Sequence, residues 1–242
     1  MAGEDLGKIE DLMIDLENGR IAYAVISFGG FLGIGEEQFA IPLVALSVRP
    51  AFSVRPNYNI FTLNVNKEIL EKAERFDKDK LPLTREQLSN TYVYYGNKPY
   101  WETGTSAGIP LFLAASTIIG DKVFNMAGED IGKIEDLIID LENSRIAYAL
   151  IPFGGFLGIG NKQFAIPWED ISERQNGHGF TLKINKEILE KAEGFDEDEL
   201  PLTREQLSNT YAYYGNKPYW ETGVLLSTEK ERQEESETES LD

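Results

Sequence analysis

The chain has 242 residues, a formal net charge of -18, no cysteine and a single histidine. That length accommodates one large or two small domains with buried cores. The acidic balance disfavours nucleic acid as a partner. The cysteine count rules out disulfides, thiol catalysis and thiolate metal sites, and fits a cytoplasmic protein.

The chain is duplicated. Residues 1–42 match 126–167 at 35 of 42 positions, and 61–104 match 180–223 at 38 of 44. Between these blocks the copies part: Leu43–Ile60 in the first, the shorter Trp168–Gly179 in the second. Self-similarity over this length indicates two homologous units rather than one large domain.

Within each unit the elements follow in order. Leu12, Ile14 and Leu16 alternate, Asn18-Gly19 supplies a tight turn, and Ile21, Tyr23 and Val25 alternate again. This pattern predicts a β-hairpin. The second copy has Asn143-Ser144 at the turn, which is weaker turn chemistry. Next comes the stretch FGGFLGIG, Phe28–Gly35, repeated without change at Phe153–Gly160. Its glycines lack the G-x-G-x-x-G spacing, and a strand rather than a helix follows, so a phosphate-cradling role is disfavoured. They read as a barrel corner with apolar residues at its tip: Phe31, Leu32 and Ile34, and their copies Phe156, Leu157 and Ile159. Apolar side chains at a loop tip either fold back or meet a partner, so these six are the candidate partner-binding residues.

Further strands are expected at Gln38–Ile41 and Phe61–Val65. Asn66–Ala73 reads as a short helix with Asn66 as N-cap. A second helix follows Pro82, with a capping box at Thr84 and Gln87 and Gly96 as its stop. Ala107–Gly120 reads as a buried strand plus its approach, too short to span a bilayer. The Glu- and Ser-rich tail from Ser227 is expected to be disordered.

No residue pattern points to catalysis. The Asp-rich turns, Arg75–Pro82 and Gly194–Pro201, lack an EF-hand spacing and read as solvated turns, although a metal- or small-ligand-binding module built on them is the alternative function. An enzyme with an unrecognised carboxylate site ranks below that. His178, flanked by glycines, reads as an exposed turn residue. The aromatic run Thr91–Gly104, repeated as Thr210–Gly223, reads as a packing seam in preference to a binding face. No cofactor and no metal ligand is expected.

The segments GEDLGKIEDLMIDLENGRIAYAVISFGGFLGIG and FAIP, with FAIPWEDI in the second copy, resemble the PRC-barrel domain, named for the photosynthetic reaction centre H subunit. GFDEDELP and YYGNKPYW resemble the C-terminal extension of many bacterial members. The resemblance implies a mostly β protein of two small antiparallel β-barrels, each with a short helical C-terminal extension. It also implies a binding and assembly role without catalytic residues, as in the reaction centre, the ribosome maturation factor and archaeal cell-division assemblies. The implied layout is repeat 1 at 1–104, a linker at 105–115, repeat 2 at 116–223 and an acidic tail at 224–242. In repeat 2, Ser116–Asn125 resembles the first strand of such a barrel; repeat 1 has no counterpart, so its strand edge must be covered by this chain, by a second molecule or by an upstream segment. The sequence thus points to a cytoplasmic, non-catalytic interaction or assembly module. Its expected partner is an unidentified protein or a second copy, with neither nucleic acid nor membrane insertion involved.

Overall fold

The computed structural model describes residues 7–28, 38–50, 59–63, 65, 67–103, 111–153, 162–174 and 178–221. The chain is mostly β, with several antiparallel pairings and short helices. The first unit contains β1 (Lys8–Asp15), β2 (Arg20–Ser27), β3 (Gln38–Ile41), β4 (Leu46–Pro50) and β5 (Asn59–Leu63). Helices α1 (Lys67–Lys72), α2 (Arg85–Tyr94) and α3 (Tyr100–Thr103) follow. Then come β6 (Phe112–Ala114) and α4 (Ala115–Ile118). The second unit runs through β7 (Lys122–Phe124), β8 (Asp130–Lys133), β9 (Asp136–Asp140), β10 (Arg145–Pro152) and β11 (Gln163–Ile166). It ends with β12 (Ile171–Glu173), β13 (Phe180–Leu182), α5 (Lys186–Lys191) and α6 (Arg204–Tyr213).

The hairpin forms where the alternation predicts it. Gly19 holds a positive φ of 61°, and its counterpart Ser144 tolerates φ 50°. Short polar side chains support each corner: Asp15 accepts from the Asn18 amide, and Asp140 from the Asn143 amide, both at 2.9 Å. β3 forms over the predicted residues, while β5 begins and ends two residues earlier than the periodicity suggests. Asn66 lies outside the described residues, but its copy Asn185 caps α5, its Oδ1 accepting from Ile188 N at 2.9 Å. Both capping boxes, Thr84 with Gln87 and Thr203 with Gln206, are closed in both directions. Gly96 and Gly215 follow those helices at positive φ.

β2 is buried on both faces, which simple alternation does not predict. One face meets a layer from α2, α3 and β6, in which Tyr23 and Val25 pack with Leu88, Tyr92, Trp101 and Phe112. The other face sends Ala24 and Ile26 against Phe39 and Leu70. Tyrosine hydroxyls tie the layers together. Tyr92 donates to Ala22 O at 2.8 Å, and Tyr23 accepts from Leu83 N at 2.9 Å. The second unit repeats both bonds through Tyr211 and Tyr148.

Two features lie beyond the sequence reading. First, β6 forms within Ala107–Gly120, where the sequence reads a buried strand next to the expected linker, but the sequence does not indicate its partner: it pairs antiparallel with β1 through Met13, Ile14 and Asp15. Second, the two units share one sheet of order β11-β10-β2-β1-β6, joined where Arg20 of β2 faces Arg145 of β10. Ile21 N donates to Ser144 O at 2.9 Å and Ile146 N to Gly19 O at 2.8 Å. This exchange is reciprocal, as expected for a junction with approximate two-fold symmetry. The first strand that the sequence assigns to repeat 2 is β7, which lies between β8 and β13. In the first unit, the described partner of β5 is β4 alone.

The junction is not symmetric in its side chains. Trp168 caps the first unit's turn, its indole Nε1 donating to Leu16 O at 3.0 Å. A Cβ on Gly19 would lie 2.6 Å from that indole ring. The positions related by the repeat are Ser144 and Leu43, so the smaller turn residue faces the larger partner. Gly19→Ser should therefore cost about 1–3 kcal/mol, from close contact at a positive φ. In a Trp168→Leu background the same substitution should cost at least about 1 kcal/mol less. Urea unfolding of the four chains measures this coupling, and additivity within about 0.5 kcal/mol would refute it.

Candidate functional site

The junction gathers the buried charged side chains of the described residues. Asp15 is 0% exposed and Arg20 8%. They face each other as a cross-strand pair at the end of the β1–β2 hairpin, as Asp140 and Arg145 do in β9–β10. The chain corner requires a carboxylate there because its turn amides need acceptors: Glu17 N and Asn18 N both donate to Asp15. The remaining acceptor capacity goes to an aromatic from the helical layer. Tyr100 Oη donates to Asp15 Oδ2 at 2.6 Å, and Tyr219 Oη to Asp140 Oδ2 at 2.6 Å. Each arginine then lies over the same tyrosine ring, Arg20 at 5.3 Å from the Tyr100 centroid and Arg145 at 4.9 Å from that of Tyr219. Arg145 also donates from Nη2 to Asn18 O at 2.7 Å, crossing the junction.

Electrostatics follow the packing. Burial, with the neighbouring Arg145 second, lowers the pKa of the Arg20 guanidinium. Burial raises the Tyr100 and Tyr219 phenols well above their usual range, and the adjacent carboxylates add to it. Tyr23 is pushed up to about 12, again by burial. Burial opposes the charge on Asp140, yet hydrogen bonds from Tyr219 and Asn143 and the nearby Arg204 hold its carboxyl below the usual range. Each carboxylate and phenol is thus hydrogen-bonded within the junction and each guanidinium lies over a tyrosine ring, while the buried Arg145 Nε has no hydrogen-bond partner.

A second feature is a cleft of about 450 Å³ between the β1 edge, β6 and the loop at Leu81-Pro82. Asp11 stands at one side, where it accepts hydrogen bonds from the Ser116 backbone N–H and hydroxyl. Gln38 lines the cleft and is 5% exposed, and its Oε1 has no hydrogen-bond partner. Gln163 Oε1, the copy, has none either.

The six loop residues singled out by sequence, Phe31, Leu32, Ile34, Phe156, Leu157 and Ile159, lie outside the described residues. Their stems do not: Phe28 packs on Phe39 at 4.6 Å between ring centroids, and Phe153 on Phe164 at 5.1 Å. The aromatic run is a packing seam at Tyr92, Trp101, Tyr211 and Tyr219, all buried. His178 is exposed. In the Asp-rich turns, Asp77 pairs with Lys80 at 2.9 Å, and Asp196 lies 3.9 Å from Lys162. Among the described residues, no group of three or more His, Cys, Asp or Glu side chains is placed to hold a metal ion. No helix among them is long and apolar enough to cross a membrane. Asp15 and Asp140 were not singled out by sequence. The available signal was an acidic residue closing an apolar alternation, two and three residues before turn amides that need an acceptor.

A family model for the PRC-barrel domain matches residues 1–67 and 111–189. The matches cover more than half of the chain and fall once in each repeat, so the chain belongs to the PRC-barrel domain family. No curated protein matches it.

The tyrosine–aspartate bond makes a testable link between the junction and stability. Because the folded-state pKa of Asp140 is depressed, its stabilisation is complete above the unfolded value of about 3.9 and is lost as pH falls through the folded value. Tyr219→Phe should destabilise the chain by about 1.5–3 kcal/mol at neutral pH and narrow this acid-sensitive window. Urea midpoints between about pH 2 and 6 would measure it. An unchanged slope in the variant would refute the assignment of Tyr219 as the group that holds the carboxylate charged.

Proposed function

We propose that the chain is a non-catalytic interaction or assembly module of the cytoplasm, built from two PRC units that each form a small antiparallel barrel with a short helical C-terminal extension. The observation that carries this reading is the shared sheet. Reciprocal backbone bonds at Gly19, Ile21, Ser144 and Ile146 hold two equivalent units in one relation. A duplicated surface held in this way favours bivalent contact, in which the second binding event gains from the first.

The glycine loops are the contact surfaces we assign to this role, through Phe31, Leu32 and Ile34 and their copies Phe156, Leu157 and Ile159. Support comes from the stems. The tilted pairs Phe28–Phe39 and Phe153–Phe164 make the described residues that flank each loop aromatic and buried. The partner is a protein, or a second copy of this chain. The chemistry at the junction supports a structural role for its ionisable groups, because Asp15, Asp140 and Arg145 hydrogen-bond within the fold and Arg20 lies over the Tyr100 ring.

Replacing the six loop residues with serine should leave the thermal unfolding transition in place. It should reduce recovery of partners, or self-association, by at least about tenfold, since apolar anchors dominate such contacts. Affinity capture from native cytoplasm, with wild type and variant in parallel, reads the first. Sedimentation reads the second. Equal recovery and equal association from a folded variant would sink the assignment.

A further inference from the structure

The repeat makes each half of the molecule a control for the other, and one position differs. In the first unit, β6 lies along the outer edge of β1, pairing Met13 with Ala114, Ile14 with Leu113 and Asp15 with Phe112. Leu16 N extends the ladder to Leu111 O at 3.0 Å. Phe112 enters the aromatic layer, 6.5 Å from the Tyr23 ring and 6% exposed. Asp11 then receives both Ser116 hydrogen bonds at the start of α4.

In the second unit, the equivalent edge is Ile138–Asp140 of β9. Among the described residues, β9 pairs with β10 and no strand lies on its other side. Burial records the difference. Met13 and Ile14 are 3% and 0% exposed, whereas Ile138 and Ile139 are half-buried. Trp101 and Leu83 are buried, and their copies Trp220 and Leu202 are half-buried. Asp136, the copy of Asp11, is exposed. Among the described residues, this leaves a strand-length slot with no strand on the outer side of β9 and the rim of an aromatic layer beside it.

We propose that this slot of the second unit docks an extended segment of a partner protein, which adds to β9 as an antiparallel strand. The inference rests on the reading of the chain as an interaction module and names a surface distinct from the glycine loops. The occupied first unit shows the chemistry the slot takes. It is an apolar segment with an aromatic ring at the second position and a hydroxyl residue four places after the ring, as in Leu111–Ser116. Main-chain bonds supply affinity, and packing of the aromatic side chain against the half-buried Trp220 and Leu202 supplies selectivity. The partner's flanks are basic, because Glu135 and Asp136 stand exposed at the slot and the chain carries a net charge of -18. A second copy is disfavoured because its own Leu111–Ala114 is already seated on β1. The chain's own C-terminus matches poorly in sequence. Residues 104–111 separate α3 from β6, but only Gly223 separates the copy of Thr103 from Val224-Leu225-Leu226, a run with no aromatic residue.

The probe is a labelled peptide of the Leu111–Ser116 sequence flanked by lysines, titrated with the full chain and followed by fluorescence anisotropy. Binding should saturate at one peptide per chain. It should be lost when the peptide's phenylalanine is replaced by aspartate, a control that leaves the protein untouched. Ile138→Lys, at a half-buried edge position, should weaken binding at least about tenfold while the unfolding transition is kept. Hydrogen exchange should show new protection at Leu137–Leu141. The six-serine loop variant should bind the peptide normally, which separates failure here from failure of the loop assignment. The proposal is overturned if the folded chain ignores the peptide, or if protection appears at Leu12–Leu16 instead. It is equally overturned if binding emerges only in a chain ending at Glu221, which would assign the slot to residues 222–242. A self-associated form dispersed by the peptide would assign it to a second copy, and would also overturn it.

Discussion

Everything else in this molecule is arranged around the pairing of two hairpin corners. The backbone exchange between Gly19–Ile21 and Ser144–Ile146 extends one sheet across both units. That geometry has an unavoidable cost. It places two guanidiniums, Arg20 and Arg145, side by side where water is scarce, and the effect is visible as the lowered pKa of Arg20. Like charges in such a place are tolerated only with compensation. Each arginine therefore faces a carboxylate across its own hairpin and a tyrosine ring above it. The tyrosine in turn donates to that carboxylate. The helical layer is required for this arrangement, because it delivers Tyr100 and Tyr219.

A two-fold junction between unlike copies also has to absorb their divergence. The variable segment after β3 carries Leu43 in one unit and Trp168 in the other. The indole is too large for a turn bearing a Cβ, and the turn it meets has glycine. At the positions the repeat relates to these, the chain has the smaller leucine, Leu43, and a turn residue with a Cβ, Ser144. Two substitutions far apart in the chain therefore describe one packing constraint. The hydrogen bond from Trp168 to Leu16 O adds a polar tie that Leu43 cannot make.

Much of the local structure was legible because its causes are local. Alternation around Asn18-Gly19 gave the hairpin, Thr84 and Gln87 gave the start of α2, and Pro42 followed the end of β3. The causes of the remainder are not local. Nothing in the sequence of β2 or β10 announces that their ends meet, since edge pairing uses backbone groups that every residue has. Burial of one face of β2 depends on a layer supplied by residues 60 and 70 positions away, Leu83 and Tyr92, whose bonds reach Tyr23 and Ala22. Asp15 reads as a polar turn residue until Tyr100 arrives over it. Of the candidate site, the Phe28 and Phe153 stems are described, whereas the six tip residues lie outside the described residues.

The placement of β6 bears on how a duplicated chain diverges. A strand added to an open edge satisfies backbone groups that would otherwise face water or another chain. In the first unit the segment between the repeats supplies that strand, and in doing so buries Met13, Ile14 and Phe112 together. A connecting segment exists only once in a tandem pair, so the same solution is available to only one unit. Among the described residues the second unit has a strand that the first does not show: β7 joins β8 to β13, and Phe180 and Leu182 are fully buried while Phe61 and Leu63 are half-buried. Among the described residues, each half thus has a strand position that is filled only in the other. The two units remain equivalent at the junction, where symmetry maintains the pairing, and differ at their outer edges, where the single linker imposes asymmetry.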